Sequence, residues 1–270
     1  MPVTLITGCS SGIGRALADA LRAAGHEVWT TARKAEDVAA LSAAGFTAVQ
    51  LDVNDSVALE QLGQRLAPMG LDMLINNAGY GAMGPLLDGG VPALQRQFET
   101  NVFAVIGVTR ALFPALRRNK GLVVNIGSVS GVLVTPFAGA YCASKAAVHA
   151  LSEALRLELA PFGIRVMEVQ PGAIASRFAS HATQEAEQLL DQTSPWWPIR
   201  DGIRARARAS QDNPASAEEF ARGVVAALQR PPRLLRLGNG SRLMPLVAWL
   251  VPKGVLDRVL KKRFGLNLTL

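Results

Sequence analysis

Cysteine is scarce: Cys9 and Cys142 are the only two in 270 residues. Two thiols cannot build a disulfide framework, which excludes the small secreted, disulfide-stapled classes. Neither sits in a charge cluster that would make it reactive, so both read as small core residues. Histidine is equally sparse. His26, His149 and His181 show no metal-ligand spacing, and no metal site is expected. No apolar run approaches the ~20 residues needed to cross a bilayer. The opening MPVTLITG lacks the charged-then-apolar design of a secretory signal, so a cytoplasmic protein is expected. Repeats and long linkers are missing too. Charged residues are only 18% of the chain against 49% hydrophobic, which excludes wholesale disorder.

Charge is unevenly spread. Residues 1–199 hold 14 basic and 16 acidic side chains, whereas residues 200–270 hold 14 and 5. The net +7 therefore belongs to the tail, which reads first as a solvated basic surface. Nucleic acid is not expected as a partner, because these basic residues are not interleaved with aromatic stacking platforms.

Short apolar runs alternate with helical patterns. The runs are Val3–Thr7, Val28–Thr31, Ala48–Leu51, Met73–Ile75, Leu122–Ile126 and Arg165–Val169, each closed by Gly, Asn, Asp or Pro. Met73 and the other methionines read as core filling. The helical patterns are Ile13–Ala24, Val38–Ala44, Ser56–Leu66, Val91–Leu116 and Ala140–Phe162. This order predicts an α/β fold of Rossmann type: a doubly wound parallel sheet with helices on both faces, in one domain spanning 1–270. After Gly172 the pattern weakens. Ala215–Leu228 reads as a helix with Ser216 as its cap, Leu243–Val251 is apolar but interrupted by Pro245, and Gly254–Phe264 reads as an amphipathic, basic helix.

The first strand runs into Thr7-Gly8-Cys9-Ser10-Ser11-Gly12-Ile13-Gly14, and a helical pattern begins at once. Glycines let backbone approach a ligand closely, and a helix N-terminus offers free N–H groups and partial positive charge, so a pyrophosphate fits there. Dinucleotide sites usually place a carboxylate about 20 residues further on, for a ribose 2′-OH. Here the second strand ends Thr31-Ala32-Arg33-Lys34, with no carboxylate. A guanidinium suits a 2′-phosphate, so Arg33 points to NADP(H), with Arg15 and Lys34 as assistants.

Tyr141 and Lys145 lie four residues apart at the start of a helical stretch and share a face. Ser128 follows the Leu122–Ile126 strand, so all three can meet at the C-terminal sheet edge where ligands bind. A tyrosine normally titrates near pH 10 and is a poor base at neutrality. An ammonium beside it is expected to lower that pKa and to grip the cofactor ribose. Tyr141 would then exchange the hydroxyl proton while hydride moves, with Ser128 steadying the substrate oxygen.

At this point the chain resembles the short-chain dehydrogenase/reductase family over some 170 residues, from Thr7 to about Ser176. The resemblance implies that Gly8, Ser10, Ser11, Gly12, Ile13 and Gly14 form the cofactor loop. Asp52 and Val53 would contact adenine. Asn77, Ala78 and Gly79, in the Asn-Asn-Ala-Gly motif after strand 4, would contact cofactor. Asn101 would hold a water in a proton relay to Lys145. Pro171, Gly172, Ile174 and Ser176 would contact the nicotinamide carboxamide, with Ser176 standing where the family usually has Thr. The strand end Thr31–Lys34 is similar to that of NADP-preferring members.

The tail, RLMPLVAWLVPKGVLDRVLKKRFGLN, is similar to members acting on lipophilic carbonyls. The leading reading is an NADP(H)-dependent oxidoreductase interconverting a carbonyl and a secondary alcohol on an apolar small molecule, with reduction favoured for NADPH. Residues 177–213, carrying Trp196 and Trp197, are expected to be the flap over substrate, and residues 241–270 a C-terminal helical tail. The second apolar face of Ala140–Phe162 calls for a subunit contact in a homodimer or homotetramer. Two alternatives stay open: a non-catalytic NADP(H)-sensing protein on the same fold, and catalysis combined with tail-mediated docking on anionic membrane.

Overall fold

In the computed structural model, which describes residues 1–176 and 178–268, seven parallel strands form one sheet in the order β3-β2-β1-β4-β5-β6-β7. The strands are β1 (Val3–Ile6), β2 (Glu27–Ala32), β3 (Thr47–Gln50), β4 (Met73–Asn76), β5 (Leu122–Ile126), β6 (Arg165–Pro171) and β7 (Leu234–Leu237). The strand order reverses between β1 and β4, which opens a crevice at their C-terminal ends.

Successive strand residues bury on opposite faces. Leu5, Leu74 and Val123 pack into one core and their neighbours Ile6, Ile75 and Val124 into the other. This is why the strands read as unbroken apolar runs. Helices α1 (Gly12–Ala23), α2 (Ala35–Ala43) and α9 (Ala217–Ala227) cover one face through Leu17, Leu21, Leu41, Phe220 and Val224. Helices α3 (Ser56–Leu66) and α5 (Ala104–Asn119) cover the other through Leu59, Leu62, Val108 and Leu112. Ser216 caps α9 as expected, its hydroxyl accepting from Glu219 N at 3.0 Å.

The stretch expected as one helix over Val91–Leu116 is interrupted. α4 (Leu86–Phe98), kinked at Gly90, runs through a π-helical turn, Glu99–Phe103, into α5. The π turn aims Asn101 inward, where it is 1% exposed. α6 (Gly139–Glu158) carries Tyr141 and Lys145 in its first two turns. Beyond β6, α7 (Phe178–Leu189) and α8 (Arg200–Arg208) stand where the sequence pattern weakens, and α10 (Leu243–Leu250) and α11 (Lys253–Arg263) form the tail. Pro245 does not break α10. It lies in the first turn, where backbone N–H groups have no intrahelical partner. Met83, Phe137, Tyr141, Cys142, Ile199, Ile203 and Phe264 join in a smaller core above the sheet's C-terminal edge. Among the described residues no helix is long and apolar enough to cross a membrane.

Candidate active site

One cleft of about 410 Å³ lies along that edge. Every residue expected to contact cofactor lines it: Gly8, Ser10 to Gly14, Arg33, Asp52, Val53, Asn77, Ala78, Gly79, Pro171, Gly172, Ile174 and Ser176, together with Ser128, Tyr141 and Lys145. Asn101 does not.

The glycine loop is locked by its neighbours. Gly12 has φ +57, a left-handed backbone that favours glycine, and a Cβ there would lie 2.8 Å from Ser176 Cβ. Gly14 has no room: its Cβ would meet Gly8 O at 2.3 Å and Asn77 Nδ2 at 2.5 Å. Asn77 Nδ2 donates to Thr7 O and Gly8 O, both at 2.9 Å, and Thr7 Oγ1 accepts from Asn77 N and Ala78 N at 3.0 Å. The ends of β1 and β4 are thereby tied together beneath the loop. Ser11 stands at the N-cap of α1 without making a side-chain cap, and the first turn holds no acid. Donors of that kind suit a phosphate.

At the end of β2, Arg33 is exposed and forms no ion pair among the described residues. Lys34 pairs with Glu36 at 3.3 Å, and Arg15 with Asp19 at 2.9 Å. Of the three cations considered for a 2′-phosphate, only Arg33 is left unengaged by acid. The donor set therefore fits a phosphorylated dinucleotide.

Tyr141 and Lys145 are buried, at 8% and 7% exposed, and Ser128 with them. Lys145 Nζ donates to Ile126 O at 2.7 Å and lies 6.0 Å from the centroid of the Tyr141 ring. The Ser128 hydroxyl accepts from Ser130 N at 3.1 Å and stands beside the phenol, whose pKa it lowers. Phe178 packs on the phenol ring, centroids 5.3 Å apart.

The expected acidification of Tyr141 by Lys145 is not met in the protein alone. Burial dominates and pushes the phenol up to about 12, and Ser128 only partly opposes it. Burial also brings Lys145 down to about 8. The phenol is thus held protonated, beside an amine poised near neutrality.

Asn101 lies behind the cleft. Its Oδ1 accepts from Tyr80 N at 3.0 Å, and its Nδ2 donates to Tyr80 O at 2.9 Å and Ser144 Oγ at 3.1 Å. Cys142 is core, and Cys9 likewise, its thiol pushed up to about 12 by burial. His26 Nδ1 sits 2.8 Å from Thr4 Oγ1, His149 lies beneath Ser128, and the side chain of His181 is outside the described residues. Trp196 and Trp197 do not line the cleft: Trp196 packs into the small core and Trp197 lies under Arg200.

Other residues close the substrate end, none of them singled out in the sequence, although Phe178 and Arg206 fall within the 177–213 stretch expected as the flap. They are Met83, Leu133, Thr135, Phe178 and Arg206, with Met244, Leu260, Arg263 and Phe264 from the tail. A signal was available for α8. Ile199, Ile203, Arg206 and Ala207 recur at helical spacing and are all buried.

Residues 2–187 match the family model for short chain dehydrogenase. A short-chain dehydrogenase/reductase of Pestalotiopsis microspora is 34% identical, covering 97% of this chain and 94% of that protein. The NADPH-dependent 1-acyldihydroxyacetone phosphate reductase of Saccharomyces cerevisiae is 31% identical over 98% of this chain and 92% of its own length. Two solved structures, each 25% identical, superpose closely. A short chain dehydrogenase of Burkholderia cenocepacia in complex with NADP covers 96% of this chain and 97% of its own, at a TM-score of 0.76. A short chain dehydrogenase/reductase of Burkholderia phymatum in complex with NAD covers 95% of both chains, at 0.78. The chain belongs to the short chain dehydrogenase family, oxidoreductases that work with a nicotinamide cofactor.

Proposed function

We propose that this protein is an NADP(H)-dependent oxidoreductase that interconverts a carbonyl and a secondary alcohol on a largely apolar small molecule, with Tyr141 as general acid/base. The observation that carries this reading is the cleft itself: one crevice lined by the glycine loop and Arg33 at one end and by Ser128, Tyr141 and Lys145 at the other. NADPH, when bound, supplies the hydride for the carbonyl carbon. Tyr141 delivers its phenolic proton to the oxygen as negative charge develops there. A phenol held up at about 12 stays protonated at neutral pH and serves as the donor in reduction. Ser128 hydrogen-bonds the same oxygen. Lys145, as an ammonium, stabilises the phenolate left behind and binds the nicotinamide ribose. Asn101, its side chain bonded to Tyr80 and Ser144 behind the cleft, is assigned the water of a proton relay to Lys145.

Replacing Tyr141 with Phe should abolish reduction of a carbonyl panel, followed by nicotinamide absorbance, and leave NADPH binding, followed by its fluorescence, intact. Retained turnover would refute the role of Tyr141. Loss of turnover in wild type on every carbonyl and alcohol would favour the non-catalytic, cofactor-sensing reading.

Two further parts of the reading rest on exposed apolar surface. Phe103, Ile106 and Leu157 are exposed on and beside α5 and α6, which supports a homodimer or homotetramer. On α10, Trp249 is 80% exposed beside exposed Leu243, Leu246 and Leu250, with Lys253, Arg258, Lys261 and Lys262 following on α11. That pairing supports peripheral contact with anionic membrane by an otherwise cytoplasmic protein. Sedimentation with anionic liposomes, with and without Trp249→Ser, tests it.

A further inference from the structure

α8 carries arginines on two sides with opposite fates. Arg204 faces outward and is satisfied, donating to both carboxylate oxygens of Glu187 at 2.7 and 2.9 Å. Arg206 faces inward, is 7% exposed and lines the cleft beside Tyr141. Its Nε donates to Thr135 Oγ1 at 2.6 Å. Among the described residues it has no ion pair. A buried guanidinium without a counter-charge is costly, because its lost hydration is not replaced. The C-terminal end of α8 offsets part of that cost. A second guanidinium lines the same end of the cleft: Arg263, more than half exposed, whose acid partner Asp212 stands 3.5 Å away. Burial lowers the Arg206 pKa from its ordinary value, and the Arg263 charge lowers it further.

We propose that the substrate is a carbonyl compound with an apolar body and one anionic group, a carboxylate or phosphate, a few bonds from the carbonyl, and that Arg206 receives that anion with Arg263 at the mouth. The placement carries it. The carbonyl belongs at Tyr141, the anion at Arg206, and the apolar body along Met83, Leu133, Met244 and Leu260. An anion there supplies the counter-charge that the fold withholds from Arg206 and draws the two arginines together rather than apart. Arginine is the residue for this task, since its fork matches two oxygens while its Nε remains on Thr135.

This inference rests on the carbonyl-reductase reading, and its test separates the two. Two matched pairs are compared with NADPH: a medium-chain γ-keto acid against its methyl ester, and an acylated hydroxyketone phosphate against its dephosphorylated form. Wild type should favour the anionic member of at least one pair by roughly 10- to 100-fold in kcat/KM, as for a hydrogen bond to a charged group. The pair with the larger ratio identifies the anion. In Arg206→Met the ratio should fall to near unity, and in Arg206→Lys it should be intermediate. Equal or better turnover of both neutral members by wild type overturns the proposal, as does a ratio that survives Arg206→Met. Should Arg206→Met fail to fold, wild type itself decides: decanoate must compete with a neutral ketone at least tenfold better than decanol does, on the same estimate, and parity overturns the proposal. Should no pair be reduced, the reductase reading falls. Calorimetry of decanoate on the NADP-loaded protein then stands alone: binding weakened in Arg206→Lys upholds the anion site, and no binding by wild type, or equal binding by Arg206→Lys, overturns it.

Discussion

Gly14→Ala is the smallest change that should disable the cofactor loop. The added methyl would lie 2.3 Å from Gly8 O and 2.5 Å from Asn77 Nδ2. Ordinary contact needs about an ångström more; Gly8 O is backbone, and Asn77 Nδ2 is a side-chain end held by two hydrogen bonds. Gly8 O and Asn77 Nδ2 are bonded to one another at 2.9 Å, and Asn77 Nδ2 also holds Thr7 O at 2.9 Å. Relief therefore requires breaking one or both bonds, at about 1 kcal/mol each. Residual overpacking adds ~1–3 kcal/mol. The better helix propensity of alanine returns up to ~1 kcal/mol. The net loss is about 2–4 kcal/mol, on the order of 10 °C in melting temperature for a domain of this size. The loop also shifts against any bound phosphate. Wild type at a hundred times its Kd for NADP should gain ~2.7 kcal/mol from the ligand, and Gly14→Ala most of this should lose. Gly254→Ala is the control: nothing lies within 4 Å of its added methyl, and it sits in the exposed start of α11. It should match wild type or gain up to ~1 kcal/mol. Thermal melts of the three proteins, with and without NADP, read both effects. A Gly14→Ala protein that melts with wild type and keeps its full ligand shift would show that the packing of α1 against β4 does not shape the phosphate site.

Arg33→Ala should lower the NADPH-to-NADH ratio of kcat/KM by roughly 10- to 100-fold, as expected for losing a charge-assisted contact to phosphate. An unchanged ratio would remove Arg33 from cofactor selection. His149 should make the fold acid-sensitive. Burial, with the Lys145 and Arg236 charges, lowers it from 6.5 to about 4. In the folded protein the ring therefore stays neutral while the unfolded chain takes up a proton, so this contribution is whole above pH 6.5 and is lost as pH falls toward 4, by roughly 3 kcal/mol. The neutral ring agrees with the bonding, since Ser128 N donates to His149 Nε2 although Glu168 Oε1 lies 3.3 Å from the same atom. Glu168, raised by burial, acts in the opposite sense. The clean readout is thus the difference between wild type and His149→Gln in urea midpoint from pH 7 to 4.5. Parallel curves would place the acid sensitivity elsewhere.

Most of the crevice was legible because its chemistry is local. The glycine loop, Asn77 to Gly79, and the Tyr141–Lys145 pair each sit within a few residues of a strand end or helix start, and a parallel sheet brings all such ends to one edge. What was not legible depends on contacts made across the chain. β7 reads as Leu-Leu-Arg-Leu, without alternation, because it is a half-buried edge strand whose Arg236 turns to Gln170 Oε1 at 2.8 Å. The Tyr141 shift came out with the wrong sign because spacing reports a neighbouring lysine but not the burial that Phe178, from α7, helps to impose on the ring.

Arg206 is the sharper instance. By composition it is one cation among the 14 basic residues of the C-terminal quarter, and the natural reading of such a cluster is solvated surface. Helical spacing sorts that cluster into two kinds. Arg204 and Arg208 fall on the face with Glu187, whereas Arg206 falls with Ile203 and Ala207 on the face that roofs the cleft. Net charge describes the first kind and conceals the second. The same sorting applies to the tail, where Lys261 and Lys262 point to solvent while Leu260 and Phe264, one helical turn apart, close the substrate end. A segment that composition assigns to association alone therefore also builds the site, so deleting residues 241–270 would remove both a surface and a wall of the cleft. Point substitution at Trp249, which is exposed and does not line the cleft, separates these two contributions where truncation cannot.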